Sequence, residues 1–106
     1  MSTEQPKKTS PADYGITDAI PTGPGTWMTF VVNQEENEIG IIEWHTCLDE
    51  VKGCGVYFDT EHGRKTMPDR SRWTVESRDP LTLSPSILCK RCGHHGYIRN
   101  GQWVSA

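Results

Sequence analysis

The sequence predicts a small all-β protein in which zinc-ribbon-like β-hairpins surround one structural metal. The chain has 106 residues, of which 34% are hydrophobic, so apolar burial alone barely offsets the conformational entropy lost on folding. Its apolar runs are short and rich in β-branched and aromatic residues, which favours strands. Its four cysteines are spaced so that they can hold a metal, which would support such a small core.

The chain divides by composition into an arm and a domain. Residues 1–25 are rich in Pro, Thr, Ser and Gly and are predicted to form a disordered N-terminal arm. Residues 26–106 are predicted to form the β domain. Its first two strands are "WMTFVV" and "EIGIIEW", joined by the polar loop "NQEEN", and "GVYF" is a third strand. The charged stretch "DTEHGRKTMPDRS" is predicted to be a loop.

The C-terminal part continues in strands. After the strand "RWTVE", one face of "PLTLSPSILC" carries every second residue, namely Leu81, Leu83, Pro85, Ile87 and Cys89. A proline cannot donate to a β-ladder, so Pro85 indicates an edge strand or a bend. Near the C-terminus Asn-Gly predicts a two-residue turn that pairs Ile98 with Trp103.

The cysteines predict a metal site. Cys89-x-x-Cys92-Gly93 has the spacing of a zinc knuckle, in which two thiolates point at one ion. Cys47 and Cys54 are separated by six residues and are interpreted as an enlarged first knuckle. We therefore expect one structural Zn²⁺ held by Cys47, Cys54, Cys89 and Cys92, a four-sulfur site that is closed to substrate.

Other ligands and other chemistries are open to these residues. His45, His94 or His95 could replace a cysteine, and the roles of His94 and His95 stay open. A thioredoxin-type pair would need a helix after the first cysteine, and a His-Asn-His nuclease would need a helix after the hairpin. A zinc hydrolase with Glu61 or His62 as base can be drawn, but nothing favours it, so no enzymatic activity is expected.

The stretch from residue 73 to residue 103 resembles a known family. It resembles small, often phage-encoded, zinc-ribbon-like proteins of unknown function. The resemblance implies a metal-binding domain and, through its phage origin, a role inside an infected cell. The matching residues are Trp73, Pro80, Thr82, Ser84, Pro85, Ser86, Ile87, Cys89, Cys92, His95, Gly96, Tyr97, Ile98, Arg99, Asn100, Gly101 and Trp103.

These observations lead to a predicted function. We expect a zinc-binding protein-interaction module, a bacteriophage factor that binds a host protein, whose partner is an unidentified protein. The net charge of -3 conceals a basic C-terminal half, so the alternative is a nucleic-acid-binding zinc ribbon. The residues predicted to make these contacts are Trp73, Tyr57, Trp103, Lys90, Arg91 and Arg99.

The sequence also predicts a location. No apolar run is long enough to cross a bilayer, and the N-terminus lacks the hydrophobic segment of a signal peptide. We therefore expect a cytoplasmic protein, in the host cytoplasm if it is phage-encoded, with no membrane partner. In a reducing cytosol paired cysteines are more often metal ligands than disulfides, which agrees with the predicted zinc site.

Overall fold

The structure is a computed structural model that describes residues 6–106, and strands dominate it. The predicted small all-β class is therefore confirmed. A short 3-10 helix covers Pro11–Tyr14, and one α-helix, α1, covers Glu61–Thr66. The strands are β1 (Ile20–Gly23), β2 (Thr26–Val32), β3 (Glu38–Cys47), β4 (Glu50–Phe58), β5 (Arg72–Arg78), β6 (Leu81–Ser84), β7 (Ile87–Leu88), β8 (His95–Arg99) and β9 (Gln102–Ser105).

Six strands form the larger sheet, in the order β1-β2-β3-β4-β5-β6. The predicted hairpin of the first two apolar runs is present as β2 and β3, and Val32 lies opposite Glu38 at its closed end. Strands β4 and β5 pair in parallel, whereas the other neighbours are antiparallel. A parallel pair needs a crossover connection, and α1 lies in it, so the predicted charged loop contains one short helix.

Three strands form the smaller sheet, in the order β7-β8-β9. The predicted Asn-Gly turn joins β8 to β9, with Ile98 opposite Trp103. Asn100 and Gly101 have φ angles of 53° and 73°, the left-handed values that a type I′ turn requires. Local turn chemistry thus sets the register of this hairpin.

The core joins the two sheets, because β6 of the larger sheet continues into β7 of the smaller one. Four of the five residues predicted to share a face, Leu81, Leu83, Ile87 and Cys89, are buried, while Pro85 is exposed where the chain bends between the strands. The buried apolar cluster consists of Met28, Ile41, Val56, Phe58, Leu81, Leu83, Ile87 and Ile98.

The N-terminal segment lies against the hairpin of β3 and β4. Residues 1–25 were expected to be disordered, but from residue 6 onward the structure contains the 3-10 helix and β1. The Val51 N–H donates to the Lys8 carbonyl at 2.8 Å, and the Tyr14 hydroxyl donates to the Val51 carbonyl at 2.6 Å. These long-range contacts leave no local signal in the sequence. Residues 1–5 lie outside the described part of the chain.

The helices are short. Within residues 6–106, no helix is long and apolar enough to cross a membrane.

Candidate active site and metal centre

The β7–β8 hairpin carries chemically active side chains on both of its faces. Ile87 lies opposite Gly96, and Leu88 lies opposite His95. Residues two positions apart on a strand share a face, and diagonal neighbours across a ladder are within reach of long side chains. Ser86, just before β7, is therefore a diagonal neighbour of His95 on the outer face, and His94 belongs to the inner face.

On the outer face a serine and a histidine are hydrogen bonded. Ser86 Oγ lies 2.9 Å from His95 Nε2. The carbonyl of Ser86 also accepts a hydrogen bond from Trp73 Nε1 at 3.2 Å, which fixes the backbone beside the hydroxyl. A serine hydroxyl that can donate to an imidazole is the arrangement of a nucleophile with its general base. No carboxylate in residues 6–106 is hydrogen bonded to His95, so the pair is a dyad.

A cleft with a volume of about 560 Å³ is linked to this pair through one residue. Trp73 lines the cleft, and its ring N–H donates to the Ser86 carbonyl. Ser86 and His95 are not among the residues that line it. Its lining residues are Gly55, Tyr57, Asp69, Arg70, Ser71, Trp73 and Lys90.

Beyond the turn, on the inner side, four potential metal ligands converge. One ligand atom from each of His45, Cys47, Cys89 and Cys92 lies within 4.8 Å of the others. Cys47 Sγ is 3.8 Å from Cys89 Sγ, and Cys92 Sγ is 3.4 Å from His45 Nε2. Two ligands come from β3 and two from the β7–β8 turn. The chain thus contains a His/Cys cluster that could hold a metal.

The predicted first knuckle, at Cys47 and Cys54, has a different structure from the expected one. The chain from Cys47 to Cys54 was expected to bulge out as a loop, but β3 and β4 pair directly, with Cys47 opposite Glu50. Leu48, with a φ angle of 65°, makes the tight turn. Cys54 therefore pairs with Glu43 farther along β4 and is not in the group of four, where His45 takes its place. Which residues ligate a metal stays a prediction.

A buried carboxylate supports His45. Glu43 has no exposed surface, and its Oε1 accepts from His45 Nδ1 at 2.8 Å. Its Oε2 lies 3.5 Å from His94 Nε2, and neither atom has a hydrogen-bond partner in the described residues. The His94 ring is stacked between those of His45 and Trp103, with both centroid distances 4.0 Å. His94 therefore packs beside the cluster, whereas His95 faces outward.

The charges in the cluster follow from these contacts. Burial disfavours a charged His45, but the hydrogen bond and the charge of Glu43 outweigh it and raise the pKa of His45 to about 9. Burial lowers the pKa of His94. Burial also disfavours the Cys89 thiolate, yet hydrogen bonds from the backbone N–H groups of Cys92 and Arg91 and from His45 lower the pKa of Cys89 to about 6. These contacts favour the Cys89 thiolate, the form that binds metals, whereas burial raises the pKa of Cys47 to about 11.

The residues predicted to make partner contacts divide into two groups. The aromatic ones are partly buried, and both tryptophans pack against the core. The basic ones are exposed. The aromatic group is Trp73, Tyr57 and Trp103, and the basic group is Lys90, Arg91 and Arg99.

Sequence reasoning missed the Ser86–His95 pair. His95 was considered only as a metal ligand, and Ser86 only as part of a motif. A signal was available, because a hairpin that pairs the two residues before Cys89 with His95 and Gly96 places Ser86 diagonally across from His95. The register of such a short hairpin had to be guessed, so the signal was weak.

A family model matches most of the chain. Residues 17–106 match the family described as "Bacterial ubiquitination-like system serine protease (BubE)". No curated protein and no solved structure matches the chain.

This match corrects several predictions. The resemblance to a phage-encoded zinc-ribbon family of unknown function is wrong, and so are the predicted bacteriophage interaction module and its nucleic-acid-binding alternative. The expectation of no enzymatic activity is also wrong, because the family is one of serine proteases. The error arose because the cysteines were treated as the centre of the C-terminal motif, while Ser86 and His95 in the same motif carry a pairing that only the fold reveals.

Proposed function

We propose that this chain, which belongs to the BubE family of bacterial ubiquitination-like system serine proteases, hydrolyses a peptide bond. Ser86 is the proposed nucleophile, and His95 is the proposed general base. The observation that carries this assignment is the 2.9 Å distance between Ser86 Oγ and His95 Nε2. The position of His95 also supports it, since the exposed ring can reach a bound substrate and solvent water.

The proposed reaction follows the general course of acyl transfer. Ser86 Oγ attacks the carbonyl carbon of the scissile bond while His95 Nε2 takes the hydroxyl proton. The same nitrogen then gives this proton to the leaving amine, and the acyl group stays on Ser86 as an ester. A water molecule, deprotonated by His95, attacks the ester, and the proton returns to Ser86 as the acid leaves.

The cleft lined by Trp73 is the proposed place for the substrate chain. Tyr57 and Trp73 give it aromatic walls, and Arg70, Lys90 and Asp69 give it charges of both signs. The Arg70 guanidinium lies 5.6 Å from the centroid of the Tyr57 ring. The support for this site is that Trp73 lines the cleft while its ring N–H donates to the Ser86 carbonyl, so the cleft is the proposed binding site for substrate residues near the cleaved bond.

We also propose one structural Zn²⁺ at the His/Cys cluster. A tetrahedral ion with Zn–S bonds of about 2.3 Å and a Zn–N bond of about 2.0 Å separates two sulfurs by about 3.8 Å and a sulfur from the nitrogen by about 3.5 Å. The observed separations, 3.8 Å for Cys47 and Cys89 and 3.4 Å for Cys92 and His45, match these values. Three thiols and an imidazole form a donor set typical of structural zinc.

Two further predictions are kept as proposals. A cytoplasmic location is supported by the four free cysteines, since none is in a disulfide. A protein partner is supported by the proposed activity, because a protease acts on a polypeptide.

The proposed nucleophile can be tested by covalent labelling. A fluorophosphonate probe should label the protein, and mass spectrometry of its peptides should place the adduct on Ser86. Ser86→Ala and His95→Gln should each abolish labelling, the first by removing the nucleophile and the second by removing its base. The matched control is Ser84→Ala, which removes a partly buried hydroxyl two positions away and should label like the unmodified protein. Labelling that persists in Ser86→Ala would disprove the assignment.

A further inference from the structure

The two residues of the proposed dyad flank the turn that carries half of the metal cluster. Ser86 immediately precedes β7, and His95 begins β8. The six residues 89–94 between these strands include Cys89 and Cys92, whose sulfurs face His45 and Cys47 on β3. Any movement of this turn relative to β3 therefore changes the position of the strands that hold both dyad residues.

The smaller sheet is tied to the larger one by backbone N–H groups at one end. At the β8–β9 turn, the Gly101 N–H donates to the Leu81 carbonyl at 2.8 Å, and the Asn100 N–H donates to Thr82 Oγ1 at 2.9 Å. The cysteine turn lies at the opposite end of β8. That end therefore needs its own connection to the larger sheet.

The backbone hydrogen bonds of the cysteine turn stay within the hairpin. The Cys89 N–H donates to the His94 carbonyl and the Gly93 N–H donates to the Cys89 carbonyl, both at 2.8 Å. Since β7 and β3 belong to different sheets, the turn meets β3 through side chains. The ring stack of His45 on His94 is one such contact, the approach of Glu43 to His94 is another, and the His/Cys cluster is a third.

We infer that a metal ion at His45, Cys47, Cys89 and Cys92 clamps the cysteine turn to β3 and so holds Ser86 Oγ within hydrogen-bond distance of His95 Nε2, without touching the substrate. The inference rests on the proposed function of Ser86 and His95. Four protein ligands complete a tetrahedral ion, so no position is open to substrate or water. The ion is on the inner side of the hairpin, and the dyad is on the outer face.

Supporting contacts make the cluster suited to this task. Glu43 is fully buried and accepts a hydrogen bond from His45 Nδ1, so the other ring nitrogen, Nε2, is directed to Cys92. A carboxylate behind a histidine ligand fixes the orientation of its ring. The four ligands therefore hold the turn at a fixed distance from β3, and a misplacement of about 1 Å in reacting groups can cost about 10²-fold in rate.

The test compares the metal-loaded and metal-free forms of the full chain by hydrogen exchange. Metal analysis should give one ion per chain, and a chelator should remove it. Exchange of the amides in β7, β8 and the cysteine turn should then accelerate roughly tenfold or more relative to those of β2 and β3, because opening becomes local. Fluorophosphonate labelling of Ser86 should slow by roughly 10²-fold and recover equally with Zn²⁺, Co²⁺ or Cd²⁺.

Matched variants separate the cluster from the rest of the chain. Cys92→Ser should behave like the metal-free form, whereas Ser84→Ala, which is outside the cluster, should keep the ion and the hairpin protection. Unchanged hairpin exchange after metal removal would overturn the inference, and so would equal loss of protection in β2 and β3 or recovery with only one metal. If the metal-loaded protein does not label at Ser86, the proposed function fails, while the exchange data still decide whether the ion clamps the turn.

Discussion

Ser86 and His95 are expected to act as one unit, which a double-mutant cycle can measure. Because the Ser86 Oγ to His95 Nε2 distance is 2.9 Å, His95 can take the proton as the hydroxyl attacks. Loss of a general base costs about 10²- to 10⁴-fold in rate, and loss of a nucleophile in such a unit costs roughly 10⁴- to 10⁶-fold. His95→Gln and Ser86→Ala should lower kcat by these factors, and the double variant should be no slower than Ser86→Ala.

The assay is hydrolysis of p-nitrophenyl acetate, an activated ester that reports acyl transfer without knowledge of the natural substrate. If the two side chains contributed independently, the His95→Gln factor would multiply again in the double variant, and a 10³-fold factor is about 4.1 kcal/mol of transition-state stabilisation. If the two side chains act as one unit, the coupling free energy equals the whole free energy that corresponds to the His95→Gln factor.

The rates report on catalysis only if each variant is folded like the unmodified protein. The hydrogen bond is at an exposed site, so removing it should cost at most about 0.5–1.5 kcal/mol of unfolding free energy, and circular dichroism should be unchanged. A double variant slower than Ser86→Ala by the full His95→Gln factor would refute the pairing. So would a Ser86→Ala variant that keeps the ester hydrolysis of the unmodified protein.

Three further changes probe the parts around the dyad. Glu43→Gln should weaken Zn²⁺ binding about 10- to 100-fold in a competition with a chelating dye, because His45 loses the carboxylate that orients it; unchanged affinity would exclude that role. Ile98→Ala should lower the unfolding free energy in urea by about 2–5 kcal/mol, since Ile98 is fully buried in the core; a loss below 1 kcal/mol would place it outside the core. Arg78 lowers the pKa of Glu38 below its ordinary value of 4.5, so their ion pair stabilises the fold above that pH and is lost as the pH falls through the lowered value. Because the pair is partly exposed, it should contribute under about 1 kcal/mol to the unfolding free energy. The difference in unfolding free energy between the unmodified protein and Glu38→Gln should therefore become smaller in acid.

The elements that the sequence predicts best are those specified by neighbouring residues. The β2–β3 hairpin follows from two β-rich runs around a polar loop, and the β8–β9 hairpin follows from Asn100-Gly101, whose positive φ angles the turn requires. The division into two sheets and the parallel pairing of β4 with β5 were not predicted. These depend on contacts between distant segments, for which the local pattern carries no information.

The site was predicted in part for the same reason. The Cys89-x-x-Cys92 turn is a local motif, and the structure brings both cysteines to one cluster. The six residues between Cys47 and Cys54 were interpreted as a loop, but after a two-residue turn residues 50–53 continue the β3–β4 ladder. The group of four potential ligands contains His45 and not Cys54. Spacing in sequence predicts proximity only when the connection is known to be a turn.

The adjacent histidines show how the register of one hairpin decides which ring meets Ser86. Successive side chains on a strand point to opposite faces, so His94 and His95 cannot both face the cluster. His94 stacks on His45, which leaves His95 on the outer face with Ser86. A shift of the β7–β8 pairing by one residue would exchange the two rings and separate the dyad.

Because β7 is short, few backbone hydrogen bonds hold its register against a shift by one residue. This strand has only two residues, and a short two-stranded hairpin is marginally stable by itself in water. Its register must therefore be fixed from the inner face, where Ile87 enters the core and Cys89 enters the cluster. Under the proposed mechanism, substitutions on the inner face should abolish activity although they touch no reacting atom, and a metal bound at the inner cluster would act on the outer-face reaction through the position of β7.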